Sequence, residues 1–61
     1  MMSSSDVATL ARHLHETRGS QAIAEAGQKA QAFEDAGDQE QAKDWRRVQQ
    51  SLQELRGPRE S

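Results

Sequence analysis

The large apolar residues of this chain recur at helical intervals. Val7, Leu10, Ala11 and Leu14 stand at i, i+3, i+4 and i+7, which at about 100° per residue lines one face of a rod. The pattern predicts a first helix over about 6–18. Ser5 is placed to be its N-cap, Asp6 suits the positive end of the helix dipole and Arg18 the negative end. Gly19 supplies the left-handed residue that commonly closes a helix. A second stripe, Ile23, Ala26, Ala30 and Phe33, predicts a helix over about 21–36, opened by Ser20 and ended by Gly37. Gly27 lies beside this stripe, and Ala22, Ala24, Ala32 and Ala36 widen the small-residue surface around it. Small side chains admit close neighbours, so the second helix is expected to be the central packing surface. A third stripe, Ala42, Trp45, Val48, Leu52 and Leu55, predicts a helix over about 39–56. Asp38 caps it, Gln41 completes a capping box, and Gly57-Pro58 stops it. No stretch alternates apolar and polar residues, so no strand competes.

Turns of about two residues, at Gly19 and Gly37, suit antiparallel neighbours. The expected fold is all-α: a three-helix bundle in one domain over 6–57, with a flexible N-terminus (1–5) and a flexible tail (58–61). Its expected core is Val7, Leu10, Leu14, Ile23, Ala26, Ala30, Phe33, Trp45, Val48, Leu52 and Leu55.

Composition narrows what such a bundle can do. The chain has 61 residues, and nine of its twenty hydrophobic residues are alanine. That is too little apolar bulk to wall a deep substrate pocket. A chain this short buries only about 60% of its unfolded surface, and a core of this size rarely yields more than about 3–5 kcal/mol. Either the monomer is marginal or part of the stripe is covered by another chain. With no cysteine there is neither a disulfide nor a thiolate zinc cluster. A mean hydropathy of −1.04 points toward disorder. Periodicity, a single proline and abundant alanine and glutamine point to helix instead. The net charge is −2, so there is no surplus of cations for coating nucleic acid. The first residues lack the basic and apolar regions of a signal peptide. No apolar run approaches the ~20 residues of a membrane span. The expected setting is the cytoplasm.

Candidate chemistry is sparse. His13 and His15 would share a face on a strand, but diverge by about 200° on a helix. His15-Glu16-Thr17-Arg18-Gly19 opens like the zincin motif, yet Gly19 stands where the second histidine is required. His15 is expected to flank the apolar stripe and His13 to lie on the surface. No Gly-rich phosphate loop, Gly-x-Ser-x-Gly elbow or cysteine nucleophile is present. Glu34, Asp35, Asp38 and Glu40 crowd the second turn. Glu34 and Asp35 meet the negative end of a dipole there, at about 0.3–1 kcal/mol each when exposed. This cluster reads as a solvated turn or as a contact for a basic partner; it lacks the alternating ligands of a calcium loop. Glu25 and Lys29 form a favourable i,i+4 pair. No catalytic, cofactor-binding or metal-binding residue is assigned, and no small-molecule substrate is indicated.

The residues suited to contact lie on the third helix. Trp45 carries the largest apolar area in the chain and an indole N–H that needs a partner. It reads either as a core plug facing Phe33 or as a half-exposed interface anchor. Lys43, Arg46 and Arg47 share a flank within an arc of about 100°, either as a solvated face or as a docking edge. The candidate contact set is Trp45, Arg46, Arg47, Lys43 and Leu52.

Two resemblances attach to these features. Ala30-x-x-Phe33, Gly37-Asp38 and Ala42 resemble the tetratricopeptide pattern over about 25 residues, with a departure at Gln49. A single copy cannot form a solenoid; the likeness implies a helical hairpin. Over nearly the whole chain, Gly19, Gly37-Asp38, Trp45-Arg46-Arg47-Val48 and Glu54-Leu55 resemble a group of short bacterial proteins without an assigned activity, so this likeness implies no site residues. The reading reached is a noncatalytic protein-interaction module or accessory subunit, acting through a protein partner or self-association. The alternative is a nucleic-acid-linked regulator using the basic flank of the third helix.

Overall fold

The computed structural model describes residues 3–55. The expected stop at Gly57-Pro58 and the tail over 58–61 lie outside the described residues, as do Met1, Met2 and Arg56. Three helices follow in order: α1 (Ser4–Arg18), α2 (Gln21–Asp35) and α3 (Gln39–Leu55). The all-α three-helix bundle is therefore observed.

Helix ends explain most of the differences from expectation. α1 starts two residues before the expected position, and its N-cap is Ser3, not Ser5. Ser3 is extended (φ −76°, ψ 169°), its Oγ accepts from the Asp6 N–H at 3.2 Å, and Asp6 Oδ2 accepts from the Ser3 N–H at 3.5 Å. This reciprocal box selects Ser3 among three consecutive serines, because Asp6 stands three residues beyond Ser3 only. Residues 4 and 5, expected to be flexible, are thereby helical.

Gly19 closes α1 at φ +62°, and its N–H donates to the His15 carbonyl at 2.9 Å. Ser20 does not cap α2: it is already in the helical region (φ −68°, ψ −19°) and its side chain makes no capping bond. The second turn is more fully bonded. The Gly37 N–H donates to the Glu34 carbonyl at 3.0 Å, and the Asp38 N–H to the Phe33 carbonyl at 2.8 Å. With Gly37 at φ +82° this is a Schellman closure, which needs a left-handed residue at that point. Asp38 then caps α3, its Oδ1 accepting from the Gln41 N–H at 3.2 Å.

The bundle is centred on α3 and not, as expected, on α2: α3 packs along both other helices, while α1 and α2 scarcely meet. Cross-links at both flanks set the directions. Arg47 reaches Ser4, near the start of α1, and Ala11 and Arg12 further along share a groove with Leu55, so α1 runs parallel to α3. Gln49 reaches Ile23 and Arg46 reaches Glu34 on α2, so α2 runs opposite. The buried cluster is Val7, Ala11, Ala22, Ala26, Val48 and Leu52, with Leu10, Leu14, Ile23 and Trp45 packed partly buried against it. Ala30 and Ala42 are buried as well.

Two expected core residues are outside the core: Leu55 is 40% exposed, and Phe33 is half-buried and not among the side chains packed against the cluster. Leu55 lies beside Ala8 and Ala11, whose single methyl groups are too small to enclose a leucine. One polar residue is inside: Asp44 is 4% exposed, and its carboxylate lies 3.6 Å from Arg47.

Candidate functional site

Each candidate contact residue belongs to α3, and the helix directs them differently. Trp45 is half-buried, resting on the core cluster, with the Lys29 ammonium 5.7 Å from its ring centroid. A cation over an exposed aromatic face contributes about 0.5–1 kcal/mol. Lys29 is therefore engaged across α2 and α3, and Glu25, its expected i,i+4 partner, turns instead to Arg18 at 3.1 Å. Leu52 is 1% exposed; it is core, and its place among the contact residues is corrected accordingly.

The basic flank is divided. Arg46 and Arg47 are successive residues, about 100° apart around the helix axis. Arg46 leans toward α2 and donates to both Glu34 carboxylate oxygens, at 3.2 and 3.3 Å. Arg47 leans toward α1, donating to Ser4 Oγ at 3.3 Å and lying against Asp44. Lys43 is exposed. The arginines thus strap the outer helices to the middle one. The Arg46 strap also answers the charge crowding at the second turn, since Glu34 gains a cation beside the unfavourable end of its dipole. Asp35 accepts from Gln31 Nε2 at 3.1 Å.

Gly27 marks a close approach between α2 and α3. Gln49 Nε2 donates to the Ile23 carbonyl at 3.4 Å. A β-carbon on Gly27 would lie 2.7 Å from that same nitrogen. The bare backbone of Gly27 lets the α3 amide lie across α2. The position at which the chain departs from the tetratricopeptide pattern thus makes one of the bonds between the two helices.

On the opposite flank, two shallow grooves of about 200 and 180 Å³ follow the α1–α3 seam and share Ser51 and Glu54. Ser4 and Arg47 border the first, Arg12 and Leu55 the second. His13 is exposed and His15 half-buried, as their positions on the stripe imply. Among the described residues, no three His, Cys, Asp or Glu side chains gather as metal ligands, and no helix is long and apolar enough to cross a membrane.

No family model, curated protein or solved structure matches the chain. The functional reading rests on the residues themselves.

Proposed function

We propose that the chain is a noncatalytic protein-interaction module, an accessory subunit whose work is contact. One observation carries the reading: of the nine large apolar side chains among the described residues, only Val7, Val48 and Leu52 are buried, while Leu10, Leu14, Ile23, Phe33 and Trp45 are half-buried and Leu55 is exposed. A self-sufficient core encloses its largest residues first, because each contributes roughly 1.5–3 kcal/mol on full burial. Here alanines hold the enclosed positions and the bulk stands at the rim. Trp45 is the natural anchor, half wetted and flanked by Lys29 and Arg46, in the manner of interface hot spots. The absence of cysteine suits work in the reducing cytoplasm.

The test is affinity capture with the full chain as bait, beside Trp45→Ala. A stoichiometric partner held by the native chain and lost by a folded Trp45→Ala supports the reading. A second copy of the chain counts as such a partner. Capture of none, with a native chain monomeric at all concentrations, removes it. Salt-sensitive nucleic-acid binding abolished by Lys43→Ala would favour the regulator alternative.

A further inference from the structure

Between the start of α1 and the end of α2, a single residue departs from helical backbone geometry. Arg18 ends α1, Gln21 begins α2, and Ser20 is already helical at φ −68°, ψ −19°. Gly19 alone breaks the run, at φ +62°, ψ −138°. Nothing lies within 4 Å of where its β-carbon would be. The turn is therefore specified by glycine's dihedral freedom and not by packing. It is held on the outside by Arg18, whose Nε lies 3.1 Å and Nη1 3.3 Å from the Glu25 carboxylate oxygens.

Rotating Gly19 alone into the helical region joins α1 and α2 into one helix over Ser4–Asp35, about 48 Å long at 1.5 Å per residue. The carbonyls of Glu16, Thr17 and Arg18 would then accept from Ser20, Gln21 and Ala22, and the uncapped start of α2 would disappear. Opening removes almost nothing between α1 and α2, because they scarcely touch. What α1 leaves behind is its seat on α3, and a second copy presents that same seat. The directions agree: with two long helices antiparallel about a twofold axis, each α1 runs along the other copy's α3 in the sense it has within one chain.

We propose that Gly19 is a single-residue hinge and that two copies of this chain exchange α1, each α1 docking on the other copy's α3. This goes beyond the interaction-module reading, because exchange remakes contacts that one chain already has and leaves the half-wetted rim around Trp45 open. Exchange replaces an intramolecular contact with the identical intermolecular one, so its balance is set by the hinge and by concentration.

The experiment combines sedimentation over a concentration series with spin-label distances. Labels go on Ser5→Cys and Ala32→Cys, both exposed sites in a chain without native cysteine. Labelled chains are diluted into unlabelled ones so that only intrachain distances are read. In the exchanged dimer, 27 positions of continuous helix separate the labels by about 40 Å. Gly19→Ala is strained at the observed dihedrals and favoured in continuous helix. Each effect approaches tenfold and both act in each of the two chains, so its dimerisation constant should rise by about a thousandfold or more. Arg18→Ala, which releases the outer latch, should raise it by a few fold.

A dimer with the long separation, strengthened by either variant, is the expected result. Monomers throughout overturn the proposal. A dimer that keeps the short, folded-back separation also overturns it while leaving the interaction-module reading standing, since the copies then dock by their faces. If Gly19→Ala does not fold, the native chain and Arg18→Ala decide by the same two criteria.

Discussion

The contact between Gly27 and Gln49 can be weighed by a double-mutant cycle. Gly27→Ala removes the poorest ordinary helix former from the middle of α2, a gain of about 0.8–1.0 kcal/mol. The new methyl would lie 2.7 Å from Gln49 Nε2 and 3.4 Å from its Cδ, so the amide must rotate away. Both atoms belong to a flexible side chain, and the loss is one bond to the Ile23 carbonyl. At 3.4 Å that bond is long, which places it near the weak end of the range, about 0.5 kcal/mol. Gly27→Ala should therefore stabilise the native chain by only about 0.3–0.5 kcal/mol. In a Gln49→Ala background nothing has to move, and the same substitution should yield close to 1 kcal/mol, a coupling of roughly 0.5 kcal/mol. Urea unfolding followed by Trp45 fluorescence and by circular dichroism measures all four corners, provided the two signals coincide. Destabilisation by more than about 1 kcal/mol in both backgrounds would refute the reasoning. It would mean that α2 and α3 meet backbone to backbone at Gly27.

Three further outcomes follow from the same contacts. Ser3→Ala should cost about 1 kcal/mol in thermal or urea unfolding, whereas Ser5→Ala should stay within about 0.5 kcal/mol; the reverse order would restore Ser5 as the cap. Arg46→Ala should cost about 0.2–1 kcal/mol, less in molar salt and nothing once Glu34 is alanine; a loss that ignores salt would assign Arg46 to packing. Asp44→Ala should cost about 1–3 kcal/mol, because a nearly enclosed polar arrangement loses one member; a neutral result in denaturant titration would show that Asp44 is carried there without contributing.

Helix number, order and type were legible because they follow from local rules: apolar spacing of three and four, and glycines at the two positions with positive φ among the described residues. The bundle's centre was not. Counting small residues pointed to α2, but a central helix needs two opposed surfaces, and only α3 has them: Arg46 and Gln49 toward α2, Arg47 and Ser51 toward α1. The wheel position of Asp44 places it between those surfaces, yet a carboxylate there reads as solvated until the arms of α1 and α2 are known. Leu55 failed for a similar reason. Its phase on the stripe is right, but the residues opposite it are Ala8 and Ala11, and burial depends on what stands across the gap. For the contact set, the sequence placed the arginines side by side; which helix each one reaches depends on tertiary arrangement.

The buried row of α2 consists of Ala22, Ala26 and Ala30, and this gives the protein an unusual mutational profile. A seam made of single methyl groups has almost no bulk to forfeit, so trimming it to glycine costs little beyond the backbone penalty of about 1 kcal/mol. Every enlargement pries two rods apart along their length. Drift along this strip should be confined to the tiniest residues, while the bulky rim around it stays open to exchange among shapes that some other surface could accommodate.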